Sequence, residues 1–574
     1  MTLDRSLWGF LMRLGVSEAL WFGFATFVVP PIITQAYHGQ SIAAINSFFI
    51  EHSYPLTFYL QQWYTIAWLG SVFWLILWVL ALLLATPTFI QRCVGEATPG
   101  ALGAIRLLAC SILLLSTLWE DLASSAALPR ALLRPMGLLE VLYALPIGFE
   151  QFVASAAALT IFQWVTALVL VLGAIGWRSR FTVPLGAGCY LLLGGLLRQY
   201  AWFYHTGLVP AYLLVWLSFT PCGDGWSYDR LRALRRGQAV PASDRPTATY
   251  GWARYGCWVV IALPYVAAGL SKLRNGGLYW WDATNFRHIL YRSTLGPMQF
   301  DFDVALALTR VPDAVVAALA LVSVLGEVLY GLVLVSHYAR IVLPVLMVAM
   351  HLGILLLQNI LFFDLILLQL AFVDWPRAWD HMRGWWTRQG IAPAGLQRWT
   401  QRHTVARLSL GAQAPVSPDG GGTARQWPTA HDYYRRLLLS MTAVLMLCWL
   451  CRLEFYPFTG MQMFSAYNTS GVILYDKVVA HYASGAIARA PIEQCLGAMA
   501  DSRYRRVLAM TWDERQQQVS QEFFQRCGVR WNQRAATGER IAQFEVQRWQ
   551  WDFRAQPQHA THGELLSRRL YAVP

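Results

Sequence analysis

The sequence predicts an all-α polytopic membrane helical bundle, with about eleven transmembrane helices and a small extracytoplasmic α+β domain at the C-terminal end. Three observations predict it. Of the 574 residues, 56% are apolar and only 13% charged, where an average soluble globular chain carries about 25% charged residues; a soluble enzyme is excluded. The apolar residues lie in long uncharged runs, among them Trp63 to Ile90, Phe152 to Gly176, Val311 to Ser336 and Ile341 to Phe363, each near or above the roughly 18 that cross a bilayer. Spans then occupy more than a third of the chain, and the polar remainder suffices for one small domain.

The first apolar run, Ala19 to Ala36, contains Pro30 and Pro31 and lacks a small-residue cleavage site, so it reads as a retained span. In order, spans are expected at residues 18–36, 64–86, 101–118, 152–176, 181–197, 202–220, 252–271, 311–335, 341–357, 360–373 and 436–452. Residues 1–95 form additional N-terminal helices and 96–380 the main membrane domain. Residues 381–435 are a cytoplasmic linker, Pro-, Gly-, Ser- and Gln-rich between Ala392 and Thr429, 436–452 the last span and 453–574 the extracytoplasmic domain. The formal net charge is +13. With the N-terminus inside, Arg92, Arg178, Arg180, Arg230, Arg232, Arg235, Arg236, Arg245 and the arginines from Arg377 through Arg435 fall in cytoplasmic loops. The stretch His38 to Gln62 has no Lys or Arg and falls outside, as does everything after Arg452. Loop-clustered arginine is a membrane-orientation signal, so membrane lipid is the expected partner and nucleic acid is not.

The tail has strand-like runs at Gly471 to His481 and Ile541 to Phe553 and a polar helical stretch near Glu514 to Cys527. In an oxidising compartment Cys495 and Cys527 either form a disulfide or remain two thiols in a small core. Cys448-Trp449-Leu450-Cys451 is a CxxC inside the last apolar segment, read either as packing or as a redox pair. No Cys/His spacing suits zinc, and no metal site is expected.

Lysine usage singles out one residue. Only Lys272 and Lys477 are lysine among 45 cationic side chains, so arginine serves wherever plain positive charge is needed. An ammonium taken out of water can lose its proton and act as a base, whereas a guanidinium cannot. Lys272 ends the span Tyr250 to Ser271, which leaves it either a desolvated base or an interfacial lysine reaching the headgroups; Lys477 reads as a surface residue. His205, early in the sixth span, and His351, in the ninth with Gln358 and Asn359 at its outer turn, lie toward the same side of the membrane. A shared interior cavity follows as a hypothesis, against helix-packing roles for each histidine. Glu327 and Asp364, also inside apolar runs, either orient a base or sit protonated between helices, the latter preferred for Asp364.

Val266-Ala267-Ala268-Gly269-Leu270-Ser271-Lys272-Leu273 followed by Tyr279-Trp280-Trp281-Asp282 resembles the lysine segment of the vitamin K-dependent gamma-glutamyl carboxylases and their bacterial HTTM (horizontally transferred transmembrane) relatives. The stretch from Thr220 to Asp229, ending in Trp226-Ser227-Tyr228-Asp229, resembles the HTTM cytoplasmic turn, with His205 about one helix before it. His351 and Asp374-Trp375-Pro376-Arg377 are similar to the histidine-bearing span and its exit, and Met461-Gln462-Met463-Phe464 to the start of the exterior β-rich region. The likeness covers roughly residues 100–480. Within it, Ser271 stands where the carboxylases carry a second lysine, and Ala283 where they carry a glycine.

The resemblance implies a gamma-carboxylase-like integral-membrane enzyme. In that family a desolvated lysine deprotonates reduced vitamin K, oxygen adds, and the resulting alkoxide takes a proton from a peptide glutamate before carbon dioxide adds. Lys272 would be the base, His205 and His351 would bind or polarise the naphthoquinol, and Trp280, Trp281 and Asn359 would complete its site; a lipid quinone and a secreted peptide are the implied partners. Two other readings stand beside it: a quinone-linked thiol redox protein using Cys448 and Cys451, and a non-catalytic membrane scaffold or maturation partner for a secreted peptide.

Overall fold

The structure, a computed structural model, describes residues 2–39, 49, 54–200, 206–242, 245–296, 300–389, 430–492 and 501–574. The 392–429 segment, Cys495 and His205 lie outside the described residues. Among those described, eight helices are long and apolar enough to cross a membrane. They are α1 (Trp8–Tyr37), α2 (Leu56–Leu83), α3 (Pro99–Ala127, whose regular part ends at Trp119), α4 (Ala156–Ile175), α5 (Ser179–Arg198), α8 (Ala248–Tyr279, α-helical to Gly276), α10 (Asp313–Leu334) and α11 (Ala339–Gln358). Between them lie α6 (Leu208–Leu217), α7 (Tyr228–Arg235) and α9 (Ala283–Leu295); after them come α12 (Phe363–Leu368), α13 (Trp375–Arg388) and α14 (Ala430–Leu450). Three expected spans are not among the eight: those at 202–220 and 360–373 fall on helices of only 10 and 6 residues, the latter prolonged by a 3-10 turn, Gln369–Phe372, and that at 436–452 falls on α14, 21 residues long with a charged first half. At 1.5 Å per residue, about 15 Å of α6 is half a hydrocarbon core.

The tail is α+β. Strands β1 (Glu454–Phe455) and β2 (Phe458–Thr459) form a small ladder, and β3 (Val472–Tyr482), β4 (Ile487–Arg489), β5 (Ile541–Asp552) and β6 (Glu564–Ala572) form an antiparallel sheet in the order β4-β3-β5-β6. Helices α15 (Asp501–Thr511) and α16 (Gln517–Asn532) accompany it. Period-two alternation gives the sheet two buried faces. Val478, Ala480, Phe544 and Val546 pack with Phe523 and Phe524 of α16, whereas Ile473, Tyr475, Trp551 and Phe553 pack with Phe286, Leu290 and Tyr291 of α9. The second face joins the tail to the bundle. Lys477, expected at the surface, is instead half-buried between the rings of Tyr475 and Trp549, 5.5 and 4.6 Å from their centroids.

On the sheet, burial raises the Glu545 carboxyl, but hydrogen bonds from Gln547 and His481, with the charges of His481 and Arg568, outweigh it and hold the group below its ordinary value. A depressed carboxylate contributes stability that is complete above its unfolded pKa, about 4.3, and is lost as pH falls through the lower folded value. Acid unfolding of the sheet, followed by tryptophan fluorescence, is expected to flatten below that pH in Glu545→Gln.

Candidate functional site

The site begins with the close approach of α8 and α10. Gly269 lacks the atom that would separate them: a Cβ there would lie 2.8 Å from Val328 Cγ2, 2.9 Å from the Val328 nitrogen and 3.0 Å from Glu327 Cβ. One turn along α8, Lys272 meets Glu327 in a two-pronged ion pair, with Nζ donating to Oε2 at 2.6 Å and to Oε1 at 2.9 Å. The Met463 carbonyl accepts the third ammonium proton at 3.2 Å, and the Trp280 ring centroid lies 5.4 Å away. Lys272 is 2% exposed and Glu327 7%. The Gly-x-x-Lys spacing thus has a packing reason, since glycine sits where the partner helix must come close. Gly269→Ala is expected to cost about 1–3 kcal/mol through overpacking and to loosen the ion pair, which thermal unfolding of the detergent-solubilised protein would register.

Seven residues before Lys272, about two helical turns and so on the same face of α8, Tyr265 binds His351 Nε2 through its hydroxyl at 2.9 Å. Gln369 Nε2 donates to the Tyr265 oxygen at 3.0 Å and to the Leu365 carbonyl at 2.9 Å, while its Oε1 accepts from the Tyr330 hydroxyl. His351 is 3% exposed. Its ring lies 5.6 Å from that of Phe362, which lies 6.3 Å from Phe464, the residue after the carbonyl that receives Lys272. Lys272, the 463–464 segment, Phe362, His351 and Tyr265 therefore close a circuit through α8.

The remaining site expectations divide. Trp280 is buried against Lys272, but Trp281 is only partly buried and packs on the core shared by α9 and the sheet. Asn359 clamps a loop: its Oδ1 accepts from the Phe302 nitrogen at 2.7 Å and its amide donates to the Phe302 carbonyl at 3.2 Å. Asp364 is buried and accepts from the Gly207 nitrogen at 2.7 Å. Ser271 accepts from Trp449 Nε1 at 2.8 Å, within the CxxC, whose Cys448 is buried and Cys451 exposed, both as thiols.

The Trp-Ser-x-Asp segment forms a structural knot away from Lys272. Ser227 caps α7 by accepting from the Arg230 nitrogen at 3.0 Å, and Asp229 accepts from the nitrogens of Arg178 and Ser179, each at 2.7 Å. Beneath it the fully buried Arg106 donates to the carbonyls of Cys222 at 2.6 Å, Trp226 at 2.7 Å, Ala174 at 3.2 Å and Gly225 at 3.3 Å.

Tyr265, Tyr330 and Gln369 are not among the residues the sequence singles out, whereas Glu327, an ionisable group in an apolar run with orientation of a base as one of its two readings, is the residue that pairs with Lys272. The i, i+7 spacing of Tyr265 to Lys272 is the signal that points to the first; nothing local points to Gln369. Among the described residues, no group of three His, Cys, Asp or Glu side chains is placed to hold a metal ion. Compared with known proteins, the chain matches no family model, no curated protein and no solved structure.

Proposed function

We propose that the chain is a multi-pass enzyme of the cell membrane that uses Lys272 as a base toward a lipid quinol, vitamin K-like, to drive modification of a peptide, with the N-terminus cytoplasmic and the sheet domain extracytoplasmic. The observation that carries this reading is the Lys272 amine, buried and received by both oxygens of Glu327, on the face of α8 that also carries Tyr265, whose hydroxyl meets His351 of α11. Lys272 becomes a free amine when it passes one proton to the Glu327 carboxylate, 2.6 Å away, and the amine then takes the quinol proton and is again the cation of the pair. The residues fit a quinol. The Trp280 Nε1–H and the His351 Nδ1 ring nitrogen are buried without a partner among the described residues, and Phe362 and Phe464 supply aromatic walls. Bound there, a reduced naphthoquinone would supply an acidic hydroxyl and two electrons. Burial of the pair keeps water from competing for the proton.

Lys272→Arg tests the reading, because arginine keeps the charge and its pairing with Glu327 but cannot give up its proton. In lipid nanodiscs supplied with reduced phylloquinone, this variant is expected to lose about 10²–10⁴-fold in quinol turnover, the usual worth of a general base, while still folding with a cooperative melting transition. Parental turnover in Lys272→Arg would refute the assignment.

A further inference from the structure

The hydrogen bonds around Gln369 fix the direction of every proton up to His351. Gln369 Nε2 lies 2.9 Å from the Leu365 carbonyl, which can only accept, so that atom is the amide nitrogen and its orientation is settled. Its second N–H therefore donates to the Tyr265 oxygen at 3.0 Å, while Gln369 Oε1 accepts the Tyr330 proton. The Tyr265 oxygen accepts from that N–H, and its own buried O–H finds its acceptor in His351 Nε2, 2.9 Å away. Nε2 is then an acceptor and carries no proton.

We infer that Tyr330, Gln369 and Tyr265 hold His351 as a neutral imidazole protonated at Nδ1, and that this N–H is a hydrogen-bond donor for a carbonyl-type oxygen of a ligand. Nδ1 is buried and has no acceptor among the described residues, in a side chain 3% exposed; a buried donor left unpaired costs free energy that an oxygen acceptor recovers. The same geometry excludes a base role for the ring: Nε2 is occupied by Tyr265 and Nδ1 already bears its proton. His351 thus orients or polarises and does not abstract, which leaves proton removal to Lys272. Tyr265 and Gln369 are positioning residues that act through it. Two sources offer such an oxygen, a quinone carbonyl and a lipid ester carbonyl. The identification of the quinone as occupant rests on the function proposed above; the tautomer does not.

The test is ¹⁵N magnetic resonance of histidine-labelled protein in nanodiscs, with His351→Asn assigning the signals. The expected result is a protonated-nitrogen shift at Nδ1 and an unprotonated one at Nε2. Tyr265→Phe removes the donor and is expected to give a mixture of tautomers, with quinone binding weaker by roughly threefold to tenfold, the worth of one neutral hydrogen bond. If that variant fails to assemble, Gln369→Leu frees the Tyr265 oxygen and gives the same readout. Oxidised phylloquinone added at constant lipid is expected to move the Nδ1 resonance; movement only on exchanging ester-linked for ether-linked lipid would assign the acceptor to lipid. A proton on Nε2 in the parent, a tautomer indifferent to both variants, or an Nδ1 signal that responds to neither quinone nor lipid linkage would each overturn the inference. A quinone response together with full turnover in Lys272→Arg would instead remove the base assignment and leave this one standing.

Discussion

Replacing Glu327 with alanine is expected to destabilise the protein by about 3–5 kcal/mol, the range found when one partner of a buried ion pair is removed. The reason is the charge left behind. Lys272 would keep the Met463 carbonyl at 3.2 Å and the Trp280 ring in surroundings that expose 2% of the residue, and a buried ammonium without a counter-charge is the costly half of the pair. The double variant Lys272→Met, Glu327→Leu removes both charges in side chains of similar volume. It is expected to recover most of the loss, because well-packed apolar replacements of buried pairs are often neutral or stabilising, yet to show no quinol turnover. Melting temperatures of the parent, both single variants and the double variant in detergent provide the measurement. A single Glu327→Ala variant as stable as the parent would show that the two groups do not depend on each other.

Arg106→Met is expected to lower stability by at least about 3 kcal/mol, since three buried carbonyls and the part-buried Trp226 carbonyl lose their donor together and each unsatisfied buried group costs about 1–3 kcal/mol before relaxation. Those carbonyls belong to Ala174 at the end of α4 and to Cys222, Gly225 and Trp226 in the turn before α7, so one guanidinium ties α3 to two other segments. The turn rests directly on helix backbone. A Cβ on Gly103 would stand 2.1 Å from the Gly225 oxygen, and one on Gly225 would stand 2.0 Å from the Pro99 oxygen. Arg106→Lys, with three donors on a point charge in place of five in a planar fork, is expected to fall between parent and methionine variant. Proteolytic nicking between Pro221 and Asp229 should rise in the same order; a methionine variant no more readily cut than the parent would contradict this account.

Both effects concern residues that the sequence marks unequally. Lysine is so rare in this chain that Lys272 stands out without any structure, and Glu327 is conspicuous as an ionisable group in an apolar run. Their partnership is not legible, because 55 residues separate them and only the packing of α8 on α10 across Gly269 brings them together. Asn359 and Trp281 are placed near a cofactor by the resemblance, and their side chains engage the Phe302 backbone and the core at α9. The Trp-Ser-x-Asp segment is legible as a motif, but its capping and carbonyl-binding work depends on Arg106, more than a hundred residues upstream.

Composition and hydropathy by themselves determined the helical, membrane-length character of the bundle, the α+β tail and the two long strands β3 and β5, because these rest on local periodicity and on the length of apolar runs. Tertiary structure alone decided that α6 and α12 are short, that the second face of the sheet is buried against α9, and that Tyr330, Gln369 and Tyr265 feed one histidine nitrogen. Hydrogen-bond direction and ion pairing are properties of atoms within about 3 Å, and residues far apart in the chain reach that range only when the helices carrying them have packed.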